Sequence, residues 1–318
     1  MRFALRRIGS ALITVFLVSL FSFLAFGVVS GDAAVHALGI DATEEQIARL
    51  RSELGLDRNP AVRYLAWLGG IFSGDWGESV RFRGERVAGL VAERLPVTFS
   101  LASLALILAL LIAVPTSLVS VRREGGIVDR MTGVLTACGL GIPGFFLGIL
   151  LIWGFGIGLR LFSVGAYVDH RENVPAFLLG LLPAALAVAI PNAAILAKFL
   201  RESLFREQRA DYFRTARGKG SSRPLALYRH ALRNALIPAV TVLGMILGET
   251  LSGSIIVEQV FSLPGVGRLL VASIASRDFP VVQALVVLAA VLVILANTLV
   301  DIAIRAIDPR IGLEGRRR

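Results

Sequence analysis

The sequence is poor in residues that build disulfides, metal sites and reactive centres. Its 318 residues include one cysteine, Cys138, and three histidines. A single cysteine cannot form a disulfide within the chain, and we expect Cys138 to be a small packing residue. His36, His170 and His230 lie far apart, so they predict no metal cluster. The chain also lacks a nucleophile elbow and paired carboxylates within an apolar run, which argues against an intramembrane enzyme.

A phosphate-binding loop is missing as well. Gly218, Lys219, Gly220 and Ser221 resemble the end of such a loop, but Phe213 stands where its first glycine is required. Gly220 also follows the lysine where serine or threonine is needed. The net charge of +10 is not accompanied by aromatic platforms or a soluble basic domain, so nucleic-acid binding is not predicted. No internal repeat or low-complexity tract is visible.

Apolar residues are abundant and make up 55% of the chain. Roughly 20 apolar residues cross the hydrocarbon core of a bilayer, and several runs approach or exceed that length. They predict an all-α polytopic membrane protein with about six transmembrane helices. The predicted spans are 8–29, 98–121, 131–157, 176–199, 236–257 and 281–303.

The distribution of positive charge predicts the orientation. If both termini are cytoplasmic, 21 of the 33 Lys and Arg residues fall inside, as expected for cytoplasmic loops. Arg2, Arg6 and Arg7 before the first run also resemble the start of a signal peptide. The length of that run and the lack of a small-x-small cleavage site favour an uncleaved first span.

The first outside segment is predicted to carry a short amphipathic helix. Thr43 and Gln46 have the spacing of a capping box, and Gly55 is placed to end the helix that follows. After it comes an apolar stripe that glycines interrupt; the stripe comprises Tyr64, Trp67, Leu68, Ile71 and Phe72, and the glycines are Gly70, Gly74 and Gly77.

Prolines and small residues mark several predicted spans. Four prolines can bend the helices that contain or adjoin them, namely Pro115, Pro143, Pro183 and Pro191. A row of small residues in the fifth span predicts close approach of another helix, and it comprises Gly244, Gly248, Ser252 and Gly253.

Glu249 is predicted to be the one acidic residue deep within a span. An ionisable residue there is costly enough to be a functional candidate. Two hypotheses stay open: Glu249 lines a pathway together with Ser252, or it is protonated or paired with a neighbouring chain. For Ser252, helix packing is the first interpretation.

A basic segment that contains two glycines separates the fourth and fifth spans. Residues 209–217 predict a short helix, and Gly218 and Gly220 are free to adopt the left-handed conformation that ends it. Small residues beside an aromatic edge formed by Tyr212 and Phe213 suit insertion into a groove on another protein. A loop that only fixes topology would explain the arginines but not the glycine-terminated pattern.

Two stretches of this segment carry a family resemblance: 211–220 (DYFRTARGKG) and 229–238 (RHALRNALIP). They resemble the cytoplasmic coupling motif of permease subunits of ATP-binding-cassette importers, in the dipeptide, oligopeptide and nickel branch. The similarity covers nearly the whole chain. Further matches are LGLD at 54–57, GDWG at 74–77, ERLP at 93–96, FSLPGVG at 261–267, RDFPVVQ at 277–283 and DPR at 308–310. The large first outside segment is similar to the permease usually encoded first in the pair.

The resemblance implies the type I importer permease fold in the inner membrane, and a transport subunit rather than an enzyme. It implies a pathway for peptides delivered by an external binding protein, a second permease as partner, and two ATPase subunits that bind ATP and Mg²⁺. No cofactor is implied for this chain. The implied ATPase-coupling residues are Asp211, Tyr212, Phe213, Arg214, Thr215, Ala216, Arg217, Gly218, Lys219 and Gly220.

With this assignment the chain divides into four predicted parts. They are an N-terminal tail and first span at 1–29, an extracytoplasmic segment at 30–97, a five-helix permease core at 98–306 that includes the coupling segment 200–236, and a cytoplasmic tail at 307–318.

Three alternatives stay open. A nickel or metal-chelate importer belongs to the same branch. A self-sufficient secondary transporter would usually show inverted repeats and ionisable groups near the midplane. A membrane-embedded scaffold would have no transport activity at all.

Overall fold

The computed structural model describes residues 2–29, 43–53, 57–82, 84–163 and 165–307. Within these ranges the chain is helical, apart from loops and one isolated antiparallel bridge between Glu78 and Arg86. The predicted all-α class is confirmed. The helices are α1 (Arg2–Val29), α2 (Glu44–Glu53), α3 (Pro60–Ser73), α4 (Val87–Arg122), α5 (Ile127–Gly141), α6 (Gly144–Leu151, continued by a π-helical turn, Ile152–Gly158), α7 (Val174–Gln208), α8 (Asp211–Gly218), α9 (Arg223–Ala226, continued by a π-helical turn, Leu227–Ala231), α10 (Leu232–Val260), α11 (Val266–Ala275) and α12 (Phe279–Ile307).

Five of the described helical stretches are long and apolar enough to cross a membrane, and α5 with α6 adds a sixth if the pair forms one broken span. The prediction of about six transmembrane helices is therefore confirmed. The sidedness of the termini stays a prediction.

The third predicted span, 131–157, consists of two helices rather than one. Helices α5 and α6 are bent by 101° relative to each other. Ile142 is extended at the break, with φ −99° and ψ 117°, and Pro143 follows it. The proline ring disfavours the helical conformation of the preceding residue, which explains why the bend is at this point. The expectation that Pro143 bends its span is confirmed.

Contacts divide the chain into two compact units, and the first comprises Met1–Val97 and Pro264–Ile294. Its core is a cluster of buried apolar side chains from the first turns of α4, from α11 and from the start of α12, namely Val87, Leu90, Val91, Leu269, Val281, Ala284 and Leu285. Trp76 and Phe82, from the loop before α4, pack against this cluster. The position of that loop therefore depends on apolar burial.

A buried carboxylate also holds the loop before α4. Asp278, at the start of α12, accepts hydrogen bonds from Ser79 Oγ at 2.5 Å, Val80 N at 3.1 Å and Arg81 N at 3.2 Å. Asp278 is fully buried, so these donors replace the water that the carboxylate has lost. The RDFPVVQ stretch at 277–283, one of those that resemble the family, thus helps to hold the loop before α4 in place through Asp278.

Helices α1 and α3 meet through aromatic side chains. The Tyr64 and Ser19 hydroxyls lie 2.9 Å apart, and the Phe23 ring lies 5.4 Å from Tyr64 and 6.0 Å from Trp67. The predicted apolar stripe of α3 therefore packs on α1 through Tyr64 and Trp67. Phe72, which was predicted in the same stripe, is 76% exposed.

The capping box is confirmed at the start of α2. Gln46 N donates to Thr43 Oγ1 at 3.3 Å, and Thr43 N donates to Gln46 Oε1 at 3.0 Å. The predicted stop at Gly55 lies outside the described residues.

The second unit comprises Thr98–Leu263 and Leu295–Arg318, and α7 packs there against α5, α6 and α10. Small residues permit close packing in this unit. A Cβ on Gly139 of α5 would lie 2.7 Å from Ala194 Cβ of α7, and a Cβ on Gly244 of α10 would lie 2.7 Å from Val300 Cγ1 of α12. The close approach predicted for the small-residue row is thus confirmed at Gly244. The side chains of Glu249 and Ser252 lie outside the described part of the structure.

Candidate functional site

The candidate site is the short helix α8 and its supports between α7 and α10. The helix begins at Asp211, after Ala210 adopts an extended conformation, and it ends at Gly218. The helix predicted for 209–217 is confirmed with this small shift. Because α8 is only eight residues long, its stability depends on its ends and its contacts rather than on propensity.

The C-terminus of α8 is closed by a Schellman motif. Ser221 N donates to Ala216 O at 3.2 Å, and Gly220 N donates to Arg217 O at 3.0 Å. Gly220 has φ +90°, a left-handed conformation that costs glycine little and other residues more. Of the two glycines predicted for this role, Gly220 performs it, and Gly218 lies within the helix.

Helix α8 has one buried residue and a wide exposed face. Phe213 is 4% exposed and anchors the helix to the protein. The other residues predicted for coupling are exposed, except Ala216, which is half-buried; the exposed set is Asp211, Tyr212, Arg214, Thr215, Arg217, Gly218, Lys219 and Gly220. This face is polar, mostly positive and built on a fixed helix, so it is available to a partner.

Tyr212 connects α8 to the end of α7. Its hydroxyl donates a hydrogen bond to the Glu207 carboxylate in the last turn of α7. Partial burial raises the pKa of Tyr212 to about 12, and the bond to Glu207 adds to this by favouring the protonated phenol.

Arg223, at the start of α9, supports the chain on the other side of α8. Its guanidinium lies 3.2 Å from Glu124 Oε2 and 3.4 Å from Gln208 Oε1. The segment 209–222 is therefore joined at its end to α7 and to the loop after α4. The pair with Glu124 is exposed, so it positions the segment more than it stabilises the fold.

A polar cluster fixes the end of α7 that carries this segment. Arg201 of α7 donates to Asp129 Oδ1 from Nη2 at 2.6 Å and from Nε at 3.1 Å. Ser120 Oγ donates to the same carboxylate at 2.5 Å, and Gly125 N donates at 3.0 Å. Three elements, α4, α5 and α7, thus share one buried carboxylate, which keeps the base of α7 in place.

An acidic residue near the end of α10 is buried. Glu258 is fully buried in the last turns of α10, and Thr98 Oγ1 donates to its Oε1 at 2.7 Å. The prediction placed Glu258 just beyond the fifth span, and α10 continues past that boundary to Val260.

No group of three His, Cys, Asp or Glu residues that could hold a metal ion occurs in the part of the chain that the structure describes. His36 lies outside that part. His230 is exposed in the turn after α9, and His170 lies 3.1 Å from Asp169 in the loop before α7.

The spans and the exposed short helix define a multi-pass membrane protein with a short polar helix, α8, between two long helices. Family models match almost its entire length. Residues 105–313 match the family described as binding-protein-dependent transport system inner membrane component, and residues 1–102 match the N-terminal model of such membrane components. The chain belongs to this family, and the resemblance stated from its motifs is confirmed.

Curated relatives cover nearly all of the chain. It is 37% identical over 309 residues to a probable peptide ABC transporter permease of Sinorhizobium fredii, covering 97% of this chain and 98% of that protein. It is 36% identical over 307 residues to a putative peptide transport system permease of Brucella abortus, covering 96% and 98%. It is 33% identical over 296 residues to the oligopeptide transport system permease AppB of Bacillus subtilis, covering 92% and 94%.

Proposed function

We propose that this chain is one of two permease subunits of an ATP-driven importer, and that it forms part of the pathway for di- or oligopeptides delivered by an external binding protein. Membership of the binding-protein-dependent family supports the delivery step. The names of relatives from three genera support peptides as the substrate class.

The single observation that carries the mechanism is the exposed, capped helix α8 between two long spans. Its polar face inserts into a groove on a partner ATPase, in the way short helices commonly dock. Two such ATPases bind ATP and Mg²⁺, while this chain needs no cofactor of its own. The complex has two packed conformations, and the ATPases bind nucleotide with a different affinity in each. Nucleotide therefore shifts the population from one conformation to the other, and α8 transmits the movement to the permease.

Glu249 and Ser252 belong to the same proposal as candidate pathway residues. They lie on neighbouring turns of α10, the helix that follows the coupling segment. A carboxylate deep within a membrane span is a functional candidate. In this role Glu249 would favour cationic peptides over neutral ones.

The proposal is tested first by purifying the chain from its native membranes in mild detergent and identifying the proteins that accompany it by mass spectrometry. We expect a second permease and P-loop ATPases. Recovery of the chain alone, folded and in normal yield, would instead favour a secondary transporter. If the reconstituted complex takes up nickel and not short labelled peptides, the substrate class is nickel or a metal chelate, and the role as a permease subunit is unaffected.

Gly220→Val tests whether α8 carries the coupling. A Cβ at this position meets no atom within 4 Å, so the cost is confined to the left-handed backbone, about 1–2 kcal/mol. The matched control is Gly165→Val, which has φ +77° and equally open surroundings in the loop before α7. We expect Gly220→Val to lose peptide uptake and Gly165→Val to keep it. Normal uptake by a well-expressed Gly220→Val variant contradicts the role of α8 in coupling.

A further inference from the structure

One face of α3 exposes large apolar side chains. Val62, Leu65 and Phe72 are 53%, 64% and 76% exposed. Together with Gly69 they recur at helical spacing, so they form one continuous face, called the exposed face of α3 below. Arg63 is the only charged residue of α3, and it lies outside this face. An uncharged apolar face of this kind marks a surface of contact rather than a surface in water.

The opposite face of α3 packs on a membrane span. Helix α1 contains the candidate span Arg7–Phe26. The Tyr64 hydroxyl lies 2.9 Å from Ser19 Oγ, and the Trp67 ring lies 6.0 Å from the Phe23 ring. Both contacts are made within the span rather than beyond its end. Helix α3 is therefore held at the level of the membrane.

A second helix locates the end of that span. Phe26 is the last residue of the α1 span, and Phe279 is the first residue of the span in α12. Their rings lie 5.6 Å apart, so the two spans end at the same level. At 1.5 Å per residue, Phe23 lies about 4–5 Å inside this end and Ser19 about 10 Å inside it. Interfacial helices lie about 5–10 Å into the boundary between headgroups and acyl chains, which is the same depth.

The length of α3 and its surroundings fit this boundary. Its 14 residues make a helix of about 21 Å, too short to cross a hydrocarbon core of about 30 Å. Polar backbone ends are satisfied locally: Asn59 caps the start, and Gly74, with φ +84°, closes the end. The exposed apolar surface of α1 also continues to α3, because Phe16 is 47% exposed and its ring lies 6.1 Å from that of Tyr64.

We propose that α3 is an interfacial helix and that its exposed face contacts lipid at the headgroup boundary. With both termini cytoplasmic, as predicted, this is the outer leaflet. Arg63 fits this position, because its guanidinium lies 5.8 Å from the centre of the Phe23 ring and its long side chain reaches the headgroups from there. The segment between the first two spans thus returns to the membrane, a role that goes beyond the proposed function.

The test measures what surrounds the exposed face in the full chain. The chain is purified with the proteins that accompany it and reconstituted in vesicles of phosphatidylethanolamine and phosphatidylglycerol. Cys138→Ala removes the one native cysteine, and Leu65→Cys or Phe72→Cys then carries a nitroxide spin label. Phe21→Cys, at a 67% exposed residue of α1, is the lipid control, and Glu45→Cys, at an exposed residue of α2, is the water control.

Electron paramagnetic resonance compares collisions of each label with oxygen, which concentrates in lipid, and with a nickel chelate, which stays in water. We expect labels at Leu65 and Phe72 to meet the chelate about tenfold less often than the label at Glu45, because hydrocarbon excludes polar solutes. They should meet oxygen as often as the label at Phe21. Frequent collisions with the chelate would place the exposed face in water and overturn the proposal. Rare collisions with both reagents would also overturn it, because a protein would then cover the face.

Trp67 supplies a second measurement that needs no label. Trp76→Phe and Trp153→Phe leave it as the one tryptophan of the three in the sequence. Its fluorescence is compared in vesicles whose lipids carry bromine near the headgroup or near the chain end. We expect bromine near the headgroup to quench more strongly. Absence of quenching by both lipids, or stronger quenching from the chain end, contradicts an interfacial position of α3.

Discussion

Replacing Gly244 with alanine tests the close approach of α10 to α12. The new Cβ would lie 2.7 Å from Val300 Cγ1 and 3.2 Å from Val300 Cβ. Carbon atoms in contact prefer about 3.5–4.0 Å, so a helix or the valine must move. Such overpacking costs about 1–3 kcal/mol. Alanine also favours the helix by about 1 kcal/mol over glycine, so the expected net loss is about 0–2 kcal/mol.

Gly133→Ala is the control that isolates the clash. Gly133 lies within α5, and a Cβ there meets nothing within 4 Å. This variant should be about 1 kcal/mol more stable, because alanine has the higher helix propensity and its Cβ meets no other atom. The two substitutions are therefore expected to differ by about 1–3 kcal/mol, although both replace a helical glycine with alanine.

Thermal unfolding of the purified protein in detergent, followed by tryptophan fluorescence, measures this difference. At about 1.5 °C per kcal/mol for a chain of this length, Gly244→Ala should melt about 1–5 °C below Gly133→Ala. Adding Val300→Ala should restore much of the loss specific to Gly244→Ala, because it removes the atoms nearest to the new Cβ. Equal melting temperatures for Gly244→Ala and Gly133→Ala would refute the close approach.

Three further predictions concern other parts of the chain. Glu249→Gln should change uptake of cationic peptides more than of neutral ones, and equal effects on both would remove Glu249 from the pathway. Thr43→Ala should weaken α2 by about 1 kcal/mol through loss of its cap, seen as faster amide exchange at Gln46, and unchanged exchange would contradict the capping box. Tyr212 has a raised pKa, so its contribution to stability should be complete below about pH 10 and lost as the pH rises through about 12. A Tyr212→Phe difference spectrum should show its tyrosinate forming near pH 12, and formation near pH 10 would show that the burial and the bond to Glu207 are absent.

Local and compositional patterns determined much of this protein from sequence. Apolar run length predicted the spans, because a bilayer requires a minimum helix length. Residue spacing predicted the capping box of Thr43 and the end of α8 near Gly220, because both depend on hydrogen bonds within a few residues. Motif order predicted the family that the comparisons identify. None of these inferences required a contact between residues distant in the chain.

Tertiary structure decided the features whose partners are far apart in sequence. Pro143 was a visible bend site, but the 101° angle depends on how α5 and α6 each pack against α7. The burial of Glu258 was not predicted, because its hydrogen-bond partner, Thr98, lies on another helix. A sequence pattern specifies periodicity and ends, whereas the satisfaction of a buried polar group depends on which other chain segment folds beside it.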